Sequence, residues 1–292
     1  MRASESLYFD IRGLRYHVRH WGVNSGAASG APKVVLLHGW MDVSASFQFV
    51  VDALRGSWDL YAPDWRGYGL TEGGKSDCYW FPDYIADLDF LLDAIGAPVH
   101  LVGHSLGGNV ACLYAGVQPE RIAKLVNLEG FGLVATKPDD APRRYARWLS
   151  ELHDRPRLRP YGSFAELAQR LRKDNPRLDE ERAIFLAQHW GRMAQDGKVV
   201  LRGDPAHKIV NPVLYRYEEA RACWQQVRAP VLWIDGADSR APTRLKLDAQ
   251  ALAERRAAFP KLRHVALPDA GHMLHHDQPE AVAKLIQDFL AG

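Results

Sequence analysis

The five residues Gly103-His104-Ser105-Leu106-Gly107 constrain this chain more than any other stretch. They follow the apolar run at 99–102 and precede a segment in which Val110, Leu113 and Tyr114 share a helical face. A strand that turns straight into a helix over G-x-S-x-G carries its serine on a strained, exposed turn, and the flanking glycines remove side chains that would collide there. Ser105 is therefore the candidate nucleophile. A serine hydroxyl needs a base to take its proton, so a histidine must be supplied from elsewhere in the chain. Of the twelve histidines, His272 fits best, because it follows the short apolar stretch 265–267 and precedes the terminal helix.

The surroundings of this turn define the fold class. Apolar runs without polar alternation at 34–37, 99–102, 125–128 and 231–234 have the character of parallel strands covered on both faces. Amphipathic helices lie between them. Pro82 stands at one helix start, Ile85, Leu88, Leu92 and Ile95 mark its face, and Gly96 offers a left-handed stop. Pro279 opens another, with Val282, Leu285, Ile286 and Phe289 in a stripe. Residues 7–11 and 14–20 alternate with period two about Gly13, which predicts an antiparallel hairpin at a sheet edge, and a small-residue loop follows at 24–31. The class is α/β, a mainly parallel sheet with helices on both faces. Such sheets bind ligands at the carboxyl ends of their strands.

The alternation breaks between 132 and 222, where helices at 142–152, 163–172 and 180–190 follow one another without a strand between them. Ser163 and Glu166 have capping-box spacing. The 292 residues thus divide into an α/β core of residues 1–131 and 223–292 and a helical insertion of residues 132–222. Lys and Arg number 37 against 35 Asp and Glu, a net charge of +2, so nothing favours nucleic acid or an anionic membrane, and a small molecule is the expected partner. The three cysteines, Cys78, Cys112 and Cys223, are odd in number and widely spaced, as idle thiols in a reducing compartment are. Acids occupy the start of the chain where a secretory signal needs an apolar run, and the expected location is cytoplasmic. His275 and His276 invite a metal, but with no carboxylate or cysteine at ligand spacing they read as surface histidines; neither metal nor cofactor is expected.

His38-Gly39-Trp40 after a strand, the Ser105 turn and a terminal Gly271-His272 together resemble the α/β-hydrolase fold family, from about residue 7 to residue 290, with the insertion where that family carries its cap. Asp64-Trp-Arg-Gly-Tyr-Gly69 resembles the family's DxRGxG segment; as a dinucleotide fingerprint it lacks the third glycine. The resemblance implies an oxyanion hole built from the backbone N–H groups of Leu106 and Trp40, each donor worth roughly 3 kcal/mol of barrier. His38, Gly39 and His104 become candidate substrate-contact positions, with His38 also a candidate for ordering its loop and Trp40 for a pocket wall. In most of the family the triad acid lies three residues beyond the glycine ending the strand before the last helical pair. That glycine is Gly236, the third position is Ser239, and Asp238 falls one short. Some branches carry the acid at the end of the preceding strand, where this chain has Glu129. Glu129 is preferred, Asp238 is the alternative and Asp235 the third choice.

The implied function is a cofactor-independent serine hydrolase cleaving a carboxylic ester or related acyl bond through an acyl-enzyme. A carbon–carbon bond hydrolase acting on a diketone-like compound would use the same serine and histidine. A ligand-binding receptor on the same fold is the alternative from a different class. Dehalogenase and epoxide hydrolase branches need an aspartate where this chain has Ser105. In the insertion, Tyr145, Trp148, Phe185, Trp190 and Tyr215 are candidate pocket aromatics, and Asp204 and His207 are candidate polar contacts.

Overall fold

The computed structural model describes residues 1–22, 30–74 and 77–292. Residues 24–29 of the expected small-residue loop lie outside the described residues. The chain opens with the hairpin of β1 (Glu5–Ile11) and β2 (Leu14–Trp21), paired antiparallel with Leu7 opposite Val18. Its turn is Arg12-Gly13, both at positive φ. Strands β3 (Lys33–Leu37), β4 (Asp59–Pro63), β5 (Val99–His104) and β6 (Ile122–Leu128) follow. β7 (Gly191–Met193) and β8 (Val199–Leu201) form a separate two-stranded sheet, and β9 (Val231–Gly236) and β10 (Leu262–Leu267) complete the main sheet. The sheet order is β1-β2-β4-β3-β5-β6-β9-β10, parallel from β4 to β10, with β2 joining β4 antiparallel.

The helices are α1 (Gln48–Ala53), α2 (Phe81–Ile95), α3 (Leu106–Val117), α4 (Ala141–His153), α5 (Phe164–Asp174), α6 (Glu180–Trp190), α7 (Tyr217–Trp224), α8 (Ala241–Arg244), α9 (Ala249–Ala257), α10 (Leu274–Asp277) and α11 (Pro279–Ala291). The uninterrupted apolar strands have the two-sided burial their composition implies. Val35, Leu37, Leu101, Leu125 and Trp233 face one core with Leu88 and Leu92 of α2 and Val110 and Tyr114 of α3. Val34, Leu36, Val102, Val126 and Ile234 face the other with Val50 of α1 and Val282 and Ile286 of α11. Burying each such side chain contributes roughly 1.5–3 kcal/mol, so the central strands are fixed from both sides.

Strand β4 carries no strong sequence signal: Asp59 and Pro63 bound it, and burial alternates between Leu60 and Ala62 on one side and half-buried Tyr61 on the other. Between β6 and β9 the expected helices appear as α4, α5 and α6, with the unexpected hairpin β7–β8 after them. Leu167 and Leu171 of α5, Leu186 of α6 and Val199 of β8 form a separate apolar cluster that also takes in Phe49 of α1. Ser163 caps α5 by accepting from the Glu166 N–H at 3.1 Å, but the Glu166 carboxylate turns to the Gly162 N–H at 2.6 Å, so the reciprocal half of the box is shifted by one residue. α7 straddles the boundary expected at 222/223 and packs against α3 so closely that a Cβ on Gly116 would collide with the Cys223 carbonyl. Among the described residues, no helix is long and apolar enough to cross a membrane.

The 64–69 segment is a structural knot. The buried Asp64 carboxylate accepts from His17 Nδ1 at 2.7 Å, from the Ser44 N–H at 2.7 Å and from the Leu70 N–H at 2.9 Å. Gly69, at φ 57°, has no room for a Cβ beside that carboxylate. Burial by itself pushes the carboxyl pKa up, but the hydrogen bond and charge of His17, with the backbone donors, outweigh it and hold the group well below the ordinary range. Asp64 thus stabilises the fold at pH values above its unfolded pKa of roughly 4, and that contribution is lost as pH falls through the lower folded value. Urea midpoints are expected to drop steeply below about pH 4 in the wild type and more shallowly in Asp64→Asn; identical slopes would exclude Asp64 as the cause.

Candidate active site

Ser105 sits between β5 and α3 at φ 51° and ψ −111°, outside the conformations a serine prefers. Such a backbone costs on the order of 1–3 kcal/mol and persists only where its surroundings enforce it. The Ser105 N–H is held by the Leu128 carbonyl of the neighbouring strand at 2.9 Å, and its own carbonyl accepts from Asn109 N–H at 2.9 Å in the first turn of α3. The motif glycines are required by contact. A Cβ on Gly107 would enter the Leu37 and His38 carbonyls, and one on Gly103 would meet the Gly107 backbone.

His272 reaches this turn from the loop after β10. Its Nε2 lies 3.1 Å from Ser105 Oγ and its Nδ1 2.8 Å from Glu129 Oε2. A carboxylate only accepts, so Nδ1 donates to Glu129 and Nε2 is left to accept from the serine hydroxyl. Glu129 follows β6 at φ 59°, with its N–H on the Ile234 carbonyl at 3.1 Å. Asn127 fixes the turn, donating to the Gly130 carbonyl at 2.8 Å and accepting from the Gly130 N–H at 3.0 Å. The Glu129 side chain is fully buried, a costly place for a charge unless every lone pair is engaged. Besides His272, it accepts from the Gly236 N–H at 2.7 Å and from Ser239 Oγ at 2.5 Å. Ser239 was not singled out as a contributor; its signal was that it stands at the family's usual acid position.

Asp238 is not brought to His272. Its half-exposed carboxylate accepts from Arg177 Nη2 at 2.6 Å; Asp238 lies in the turn at 237–238, which closes with the Ser239 N–H on the Gly236 carbonyl at 3.0 Å. Asp235 is taken by Arg256 and by His264 Nε2, the latter at 2.9 Å.

The 38–40 loop lies against the nucleophile, with a Cβ on Gly39 falling 3.3 Å from Ser105 Cβ and 2.9 Å from His104 Nδ1. The Leu106 N–H heads α3 and so has no acceptor within the helix. His38 and His104 are corrected from substrate contacts to internal supports. His38 is fully buried, donates from Nδ1 to the Gly39 carbonyl at 2.8 Å and accepts the Trp65 N–H at Nε2 at 2.9 Å. Burial pulls its pKa down to about 4. His104 is 1% exposed and donates from Nε2 to the His272 carbonyl at 2.8 Å. The Trp40 side chain is 53% exposed and its indole N–H donates to the His207 carbonyl.

His207 does not face a substrate or solvent. Its ring stacks between Tyr68 and Tyr79 at 3.8 and 3.6 Å, and its Nε2 donates to the Arg66 carbonyl at 3.1 Å. Asp204 accepts from the Tyr79 hydroxyl at 2.9 Å, so both residues fasten the 132–222 segment to the stretch between β4 and α2. Of the candidate aromatics, Tyr145 is exposed, Phe185 packs on Phe49, and Trp190 donates to Ser46 Oγ. His275 and His276, expected at the surface, are 0% and 2% exposed.

A family model of the α/β hydrolase fold matches residues 32–279. The chain belongs to the α/β-hydrolase fold family. A serine hydrolase-like protein of Danio rerio is 27% identical over 279 residues, covering 91% of this chain and 83% of the zebrafish protein. Serine hydrolase-like protein 2 of Homo sapiens is 25% identical over 287 residues, 92% of this chain and 91% of its own. Among solved structures, the thioesterase domain from the curacin biosynthetic pathway superposes with a TM-score of 0.85 at 24% identity, over 97% of this chain and 99% of that one. The last is a likeness of fold. In the α/β-hydrolase frame, Ser105, His272 and Glu129 come together at the carboxyl ends of β5, β10 and β6, where open parallel sheets place their chemistry.

Proposed function

We propose that this α/β hydrolase is a serine hydrolase that cleaves a carboxylic ester or related acyl bond through an acyl-enzyme. The observation that carries this reading is the continuous line Ser105 Oγ, His272, Glu129, with separations of 3.1 and 2.8 Å. Ser105 attacks the carbonyl as His272 takes its proton, and the resulting imidazolium faces a buried carboxylate that is already satisfied by two other donors. The N–H groups of Leu106 and Trp40 receive the oxyanion, with the α3 N-terminus adding its dipole. His272 then protonates the leaving alcohol, and water releases the acyl group by the reverse path. The segment 132–222 acts as a cap that selects the substrate, and the reaction needs no cofactor. The names of the zebrafish and human relatives support a serine nucleophile.

A fluorophosphonate is expected to add one equivalent to the wild-type protein, on the peptide containing Ser105, and none to Ser105→Ala. Short p-nitrophenyl esters should turn over many times. A folded wild type that takes no label, or that binds esters stoichiometrically without turnover, would sink the enzyme reading in favour of a receptor.

A further inference from the structure

A second cluster lies directly behind His272. Asp42, His104 and His275 come from three separate segments, and their ligand atoms all lie within 4.8 Å of one another. His275 Nε2 is 3.9 Å from Asp42 Oδ2, and the rings of His104 and His275 are 4.2 Å apart. All three are buried, at 3%, 1% and 0% exposure. One end of the Asp42 and His104 groups is already committed: Asp42 Oδ1 accepts from the Val43 N–H at 2.8 Å and from the Ser46 hydroxyl, and His104 Nε2 donates to the His272 carbonyl. The other ends are orphaned. Among the described residues, Asp42 Oδ2, His104 Nδ1 and both ring nitrogens of His275 have no partner.

The commitments decide what those orphans are. A carbonyl cannot donate, so His104 Nε2 carries the proton and Nδ1 presents a lone pair. Asp42 Oδ2 likewise presents lone pairs once the carboxyl is ionised, so a cation entering there takes the place of any proton Oδ2 holds. Two acceptors therefore face a common space beside a histidine free to offer a third, and each buried group left unpaired costs roughly 1–3 kcal/mol. Something that attracts lone pairs belongs between them.

We propose that Asp42, His104 and His275 form a site for a divalent transition-metal ion, with Zn²⁺ the best match. Two neutral imidazoles and one carboxylate suit zinc, and the outer hydrogen bonds that orient metal-bound histidines and carboxylates are in place on His104 and Asp42. Zinc bonds of about 2.0–2.1 Å put tetrahedral ligand atoms roughly 3.3 Å apart, so ligand atoms now within 4.8 Å of one another must draw in by up to about 1.5 Å. His276 stays outside the group, its ring set edge-on against Phe49.

The role follows from the three origins. Asp42 lies two residues beyond Trp40, His104 immediately precedes Ser105, and His275 lies three beyond His272. One ion fastens together the segments that carry the oxyanion donor, the nucleophile and the base. A water completes the tetrahedron, and, enclosed among buried groups, the ion acts as a staple and offers no position to a substrate. Only this role rests on the serine hydrolase reading; occupancy of the site is independent of it.

Co²⁺ is the probe, loaded onto the full-length protein by refolding in its presence. We expect one equivalent per chain after gel filtration, visible bands of tetrahedral intensity, and a melting temperature raised by about 5 °C at cobalt well above Kd. His275→Gln should lose all three. In crystals of the loaded wild type, an anomalous peak should lie among Asp42, His104 and His275. No peak there, water alone at that position, cobalt bound only at other histidines, or equal binding by folded His275→Gln would each overturn the proposal. The wild-type crystal decides the matter even where the variant does not fold.

Discussion

Glu129→Gln is expected to lower kcat on an ester substrate by roughly 10⁴-fold, about 5.5 kcal/mol of barrier, with the protein still folded. Glutamine keeps the shape, and with its amide oxygen in the Oε1 position it can still accept from the Gly236 N–H, while the Ser239 hydroxyl rotates to accept from the amide nitrogen in the Oε2 position. The substitution removes the charge that meets the imidazolium, and an amide nitrogen turned toward Nδ1 would impose the wrong tautomer on His272. Asp238→Asn is expected to change kcat less than about twofold, since its half-exposed carboxylate serves Arg177. Steady-state kinetics on the three proteins, with circular dichroism to confirm folding, separates the cases. Equal losses in both variants, or none in Glu129→Gln, would refute the assignment of the acid.

The second large effect concerns stability. Asp87 on α2 is fully buried and accepts from Arg66 Nε and Nη2, both at 2.5 Å, from Tyr16 OH at 2.8 Å and from Arg12 Nη1 at 2.9 Å. Tyr16 also accepts the Arg66 N–H at 2.9 Å, so a single carboxylate ties β2, α2 and the 64–69 loop together. Asp87→Ala leaves the mostly buried Arg66 guanidinium with only the more distant Asp83 carboxylate, at 3.4 Å, as counter-charge and is expected to cost roughly 3–5 kcal/mol in urea unfolding. Asp87→Asn, which keeps the acceptor and loses the charge, should fall between. A loss below about 1 kcal/mol for the alanine variant would mean that Arg66 finds another partner.

What the sequence made legible was local in its physics. The Ser105 turn is written in five consecutive residues because its backbone must stay bare where it closes on itself at Gly103 and where it presses on the Leu37 and His38 carbonyls at Gly107. The uninterrupted apolar strands announce two-sided burial for the same reason. Glu129 was reached less directly, through a serine standing where a relative would carry an acid. The misjudged residues depend on what the rest of the chain places beside them. His275 and His276 look like surface histidines until Asp42, Phe47 and Phe49 arrive from more than two hundred residues away. His38, His104 and His207 are chemically suited to touching a ligand, and only the packed structure reveals that backbone carbonyls occupy their donors. β4 and the β7–β8 hairpin were missed because short strands with one buried face carry little pattern of their own.

Ser239 and Glu129 converge from different strands on one point beside His272 Nδ1. The acid is therefore defined by a location in space, and two loops have access to it. The charge comes from one loop, and the Ser239 hydroxyl of the other steadies it, so the demand of the imidazolium is met by two segments that the sequence keeps 110 residues apart.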